Sequence, residues 1–188
     1  MTDKLAEMEY RELTSEEFSD IQARILYEDN HIIVFNKRPG EIIQGDKTGD
    51  EPLGETLKAF VAMRDSKPGK VFMGVPHRLD RPVSGIAMFA KTSKGLERLN
   101  EMFRTGAVHK TYWALCCNEP PQNSKEGGTT DDGTASDGTL LENWLVRNEK
   151  QNKSYIVRSG TAEAKLAKLK YRVIGHTQRY HLIEVELL

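Results

Sequence analysis

A chain of 188 residues is long enough for one domain, or one domain with appendages, and for a core that needs no covalent staples. Its apolar fraction of 38 % and charged fraction of 29 % lie in the globular range on the polar side. Two adjacent cysteines, Cys116 and Cys117, do not make a disulfide framework, the start MTDKLAEMEYREL has no apolar signal core, and no run reaches the roughly 20 apolar residues of a membrane span, which together point to the cytoplasm.

The net charge of −1 hides an uneven distribution. Residues 1–30 hold nine acids against three bases, a net −6, whereas residues 77–112 hold seven bases against three acids, a net +4. A basic segment in a neutral chain can present a polyanion site, although a solvated mixed-charge face has the same composition.

In chain order, residues 1–24 form a polar leader, helical or frayed over 1–20. Arg24–Tyr27 and His31–Asn36 are apolar-rich around Glu28-Asp29-Asn30 and predict a hairpin. Lys37-Arg38-Pro39-Gly40 is turn chemistry, and Glu41–Gln44 is expected as a short strand. Leu53–Met63 has apolar residues at 53, 57, 60 and 61, the spacing of a helix. Lys70–Pro76 is expected as a strand leading into HRLDRPVSG (77–85), and Ile86–Ala90 as a strand leaving it. Ser93–Phe103 has helical spacing, Val108–Leu115 alternates, and 118–138 is a loop by composition. Strands follow at Leu140–Val146, Ser154–Val157, Leu166–Ile174 and Tyr180–Leu188. Few, segregated helices and hairpin-like strand runs predict an α+β fold with a mainly antiparallel sheet and a few flanking helices. The last segment, RYHLIEVELL, runs into the chain end in mid-pattern, which leads us to expect that the protein continues past Leu188.

The segment that carries chemistry is HRLDRPVSG. Asp80 is a carboxylate at neutral pH, and Arg78 and Arg81 flank it in sequence. His77 and Asp80 alone are no metal set, and the arginines would repel a cation. Glycoside hydrolysis by two carboxylates needs a second acid that this neighbourhood lacks. A lone carboxylate among arginines suits an anionic substrate whose phosphates the arginines grip, and it equally suits a structural ion pair.

The stretch resembles the signature of the RluA-type pseudouridine synthases, His-Arg-Leu-Asp followed after a short gap by Ser-Gly, here His77-Arg78-Leu79-Asp80 and Ser84-Gly85. IIVFNKRPG (32–40) is similar to the family's first motif, with Arg38 inserted between Lys37 and Pro39. FAKTSKGLERLNEMF (89–103) and VHKTYWAL (108–115) resemble the segments that follow, in order, over roughly residues 25–188. The family's late motif, Thr-Gly-Arg then His-Gln-Ile-Arg, would begin where this chain ends, and its arginine pairs with the essential aspartate in the family.

The resemblance implies a catalytic domain of the pseudouridine synthase type over 25–188, cut short at its C-terminal end. It implies cofactor-free conversion of uridine to pseudouridine in ribosomal or transfer RNA by a monomer, with no metal and no membrane partner. Asp80 would be the catalytic carboxylate, attacking the sugar C1′ or removing a ribose proton. Arg78 would aid base flipping, Tyr112 would stack on the flipped uracil, and Lys110, Arg81 and Lys37 would contact RNA. His77 and Ser84-Gly85 are expected to shape the loop. A non-catalytic RNA-binding module on the same fold is the alternative, and a carboxylate-dependent nucleoside or nucleotide hydrolase a weaker one.

Overall fold

In the computed structural model, residues 10–67, 69–120, 138–151 and 153–188 are described. Contacts divide the chain into two compact units, residues 1–107 and 108–188.

The first unit opens with helix α1 (Ser15–Arg24). Thr14 starts it by a reciprocal cap: its Oγ1 accepts the Glu17 N–H at 3.1 Å, and its own N–H donates to Glu17 Oε2 at 2.8 Å. The spacing Thr-x-x-Glu is legible in the sequence and satisfies two otherwise orphaned donors. The leader is thus an ordered helix over its second half, and residues 1–9 lie outside the described residues. Arg24 closes α1 and does not open the hairpin, which starts one residue later with β1 (Ile25–Glu28) and β2 (Ile32–Lys37). Helix α2 (Leu53–Arg64), strand β3 (Gly85–Ala90) and helix α3 (Ser93–Arg104) complete the unit. The sheet order is β1-β2-β3, both ladders antiparallel.

Side-chain alternation along β2 sends Ile33, Phe35 and Lys37 to one face, where all three are fully buried. Ala87 and Phe89 of β3 share that core with Leu57, Phe60 and Val61 of α2 and Ile21 of α1. Phe18 of α1 lies with its ring centroid 4.7 Å from that of Phe60. Outside the core, Glu28 accepts from both Arg64 Nη atoms (2.6 and 2.8 Å) and from Lys91 Nζ (2.6 Å), tying the end of α2 to the sheet.

Two expected strands are absent. Over Glu41–Gln44, Ile42 and Ile43 are buried in succession, which no alternating strand permits, and the Ile42 carbonyl accepts the Leu53 N–H at the start of α2. Lys70–Pro76 buries Val71 and Met73 but pairs only at Gly74, by a single bridge to Ala90.

The second unit is a five-stranded sheet of β4 (Thr111–Cys116), β5 (Thr139–Asn148), β6 (Lys153–Val157), β7 (Lys165–His176) and β8 (His181–Leu187), ordered β4-β8-β7-β5-β6. Every ladder is antiparallel. Trp113, Glu184 and Arg172 stand in register across three strands, with Glu184 accepting from Arg172 Nε at 2.7 Å and from Trp113 Nε1 at 3.3 Å. Those two donors, Arg172 first, hold the Glu184 carboxyl below its usual range. The expected loop 118–138 falls largely outside the described residues. Among the described residues no helix is long and apolar enough to cross a membrane.

Candidate active site

The antiparallel register of β2 and β3 sets Lys37 opposite Gly85, so the first motif and the signature loop meet at one end of the sheet. Gly85 has φ +128°, a backbone conformation that side chains disfavour. It turns the loop into β3, in keeping with the expected shaping role of Ser84-Gly85.

Lys37 was expected at the surface as an RNA contact, and the structure places it in the interior instead, with no exposed area. Its Nζ donates to the carbonyls of Asp80 (3.1 Å), Arg81 (3.2 Å), Arg38 (3.2 Å) and Val83. An ammonium carries three donor hydrogens, so four acceptors saturate it. Burial pulls the Lys37 ammonium below the ordinary lysine value, opposed by the Glu41 and Asp80 carboxylates. The loop is further pinned by Gly40 N–H to the Arg81 carbonyl at 2.8 Å and by Val83 N–H to the Asp80 carbonyl at 3.0 Å.

This backbone clamp leaves the Asp80 side chain exposed. Among the described residues its carboxylate accepts no hydrogen bond and joins no salt bridge. The flanking arginines do not grip it. Arg78 is exposed and likewise unengaged among the described residues. Arg81 turns away to the 46–50 loop, where Nη2 donates to Asp50 Oδ2 (2.7 Å), Thr48 Oγ1 (2.7 Å) and Asp46 Oδ2 (3.4 Å). Its hydrogen bond to Asp50 raises the Arg81 value, and the same bond lowers that of Asp50. Asp46 is held low chiefly by Thr48. The sequence reading missed this acidic loop; its signal was two aspartates around a threonine, soon after the first motif.

His77 braces the loop from the other side. Its Nε2 accepts the Met88 N–H at 2.9 Å, and its ring stacks on Phe103 with centroids 4.8 Å apart. Tyr112 and Lys110 belong to the second unit. Tyr112 is half-buried on β4 opposite Val185, and Lys110 precedes the strand, its carbonyl accepting the Leu187 N–H at 3.3 Å. Of the expected residues, Lys37, Arg78, Asp80 and Arg81 share one loop cluster.

The family model described as RNA pseudouridylate synthase matches residues 31–188. A ribosomal large subunit pseudouridine synthase C of Vibrio vulnificus (strain CMCP6) is 36 % identical over 101 residues, covering 54 % of this chain and 30 % of that protein. The protein of the same name from Escherichia coli (strain K12) is 36 % identical over 91 residues, covering 48 % of this chain and 27 % of that protein. The matched stretch thus spans under a third of these relatives' length. Among solved structures, Human RNA Pseudouridylate Synthase Domain Containing 4 superposes with a TM-score of 0.67 at 21 % identity, over 90 % of this chain and 60 % of that one. Human RNA Pseudouridylate Synthase Domain Containing 1 gives a TM-score of 0.61 at 19 % identity, over 87 % and 58 %. These likenesses carry the fold, an α+β arrangement with antiparallel sheets. With the family match covering most of the chain, and with the signature residues on one pinned loop, the chain belongs to the RNA pseudouridylate synthase family.

Proposed function

We propose that the protein isomerises uridine to pseudouridine in RNA and that Asp80 is its catalytic carboxylate. The observation that carries this reading is an exposed carboxylate, free of protein partners among the described residues, on a loop whose backbone is clamped by a buried lysine. A structural ion pair would have used the charge, whereas a reagent must keep it available. In the reaction the N1–C1′ bond breaks, the uracil turns, and a C5–C1′ bond forms; C5 loses its proton to solvent or a base and N1 gains one, so the product is an isomer. Asp80 serves either by bonding to C1′ and leaving again, or by taking a ribose proton and returning it. Both routes are balanced without a cofactor.

A uridine in folded RNA must be extruded to meet Asp80. Arg78, beside it and unengaged, fills the vacated stack or holds a phosphate. The family resemblance assigns stacking on the uracil to Tyr112, a contact of about 1–3 kcal/mol. Lys110 supplies sequence-blind phosphate affinity. Arg81 contacts a phosphate only by exchanging its carboxylate partners for it, and Lys37 acts by positioning the loop. Relatives named for the large ribosomal subunit favour ribosomal over transfer RNA as substrate. A cytoplasmic monomer is the expected form.

The test is Asp80→Asn in the full-length protein, followed by pseudouridine mapping of total RNA from strains carrying either form. Loss of modified sites with RNA binding retained supports the assignment. Continued turnover by the variant refutes it, and unaltered maps on deleting the gene would favour a binding module instead.

A further inference from the structure

The family match begins at residue 31, yet helix α1, which precedes it, sends ionic contacts to the turn beneath the Asp80 loop. We infer that α1 is a positioning element for that loop, a claim that rests on the reading of Asp80 as the catalytic carboxylate.

Arg24, at the end of α1, is 8 % exposed. A guanidinium leaves water at little cost only when its donors are met, and here most are spent on the turn, Nη1 also reaching Asp20 Oδ2 within α1 at 3.3 Å. Nη1 and Nη2 bond the two oxygens of Glu41 at 2.7 and 2.9 Å, and Nε bonds the Asn36 carbonyl at 3.1 Å. The guanidinium carbon sits 4.4 Å from the centroid of the Phe35 ring. Paired, planar contacts of this kind fix orientation as well as distance. Glu41 passes the constraint on, because its Oε2 also accepts the Arg38 backbone N–H at 2.7 Å. Arg38 then reaches back to α1, its Nη2 and Nη1 bonding the two oxygens of Asp20 at 2.7 and 3.1 Å.

From that turn, the Gly40 N–H and the Lys37 ammonium hold the carbonyls of Asp80 and Arg81. The linkage therefore runs from α1 to the 36–41 turn and from the turn to the Asp80 backbone, with no gap. Packing alone would not require it, since Leu13 and Ile21 already anchor this segment in the core. Arg38 is also the residue inserted into the Asn-Lys-Pro pattern, so the departure from the family motif is itself one of the ties.

The experiment uses the full-length protein with Glu41→Gln, and Arg38→Ala should the first variant fail to fold. Amide exchange is read at Gly40 and Val83 against the β2–β3 ladder. Pseudouridine formation is read on ribosomal RNA isolated from a strain lacking the gene, at limiting and saturating RNA. Exchange at Gly40 and Val83 is expected to quicken by about tenfold while ladder amides stay as in wild type. Turnover at saturating RNA should fall severalfold at an unchanged half-saturating concentration, and Arg38→Lys should recover part of the loss of Arg38→Ala. Wild-type exchange at Gly40 and Val83 in both variants, or a uniform rise across all amides, overturns the inference. So does normal turnover by the variants beside an inactive Asp80→Asn. If wild type itself modifies no uridine while Gly40 and Val83 still loosen, the tie from α1 stands and the catalytic reading of Asp80 falls.

Discussion

Replacing Lys37 with methionine keeps an unbranched stem along the core face of β2, with sulfur in place of Cδ, and removes the ammonium. The four carbonyls it serves fare differently. Asp80 keeps the Val83 N–H and Arg81 keeps the Gly40 N–H, so both remain paired. The part-buried carbonyls of Arg38 and Val83 are left without that donor. An orphaned acceptor costs about 1–3 kcal/mol, so two cost about 2–6 kcal/mol. Relief from burying a charge offsets part of this, leaving a net loss of about 1–4 kcal/mol. For a chain of this size, that lowers the melting temperature by roughly 2–16 °C. Thermal unfolding followed by circular dichroism measures it. A variant melting within about 1 °C of wild type would refute the claim that the ammonium holds the loop, because that is the noise left by a neutral surface change.

Asp80→Asn should leave the unfolding midpoint within about 0.5 kcal/mol of wild type, since the carboxylate has no protein partner among the described residues; a urea titration checks this. Glu28 is held below the usual glutamate range chiefly by Arg64, then by Lys91. Its stabilisation is therefore complete above that range and lost as pH falls through its lowered value, so Glu28→Gln should flatten the acid limb of a urea-midpoint series taken from neutrality to about pH 3. Gly95→Ala would set a Cβ 2.9 Å from the His31 carbonyl oxygen, which belongs to the backbone and cannot swing aside. A destabilisation of about 1–3 kcal/mol by thermal melt is expected. Leu57→Ala empties a fully buried site on α2 and should cost about 2–5 kcal/mol by the same measurement.

What could be read from the residues alone was local and periodic. The apolar spacing of α2 and α3, the apolar runs of β2 and β3, and the strand patterns of the second unit marked these elements to within a few residues. The burial of Lys37 was half legible, because alternation from Ile33 through Phe35 already sent it inward. What no pattern could supply was the set of carbonyls from distant residues that makes the burial tolerable. Arg81 shows the same limit. Its sequence neighbour is Asp80, but its partners come from residues 46–50, which adjacency in the chain does not reveal. Glu41–Gln44 has strand-forming isoleucines, yet the need to cap α2 through the Ile42 carbonyl overrode that propensity.

The pairing of Lys37 with Gly85 also bears on the order of folding. The β1–β2 hairpin closes over a few residues, whereas β2 and β3 meet only after the chain carrying α2 has been looped back. Such closure spends chain entropy before any contact rewards it, so it comes late and sets the pace. The Asp80 loop has no clamp until that moment, because its carbonyls and the lysine that gathers them arrive on opposite strands. The reactive loop is therefore shaped among the last parts of the first unit. In pulse-labelled exchange during refolding, the Val34 amide, which faces β1, should gain protection before those of Ala87 and Phe89, which face β2.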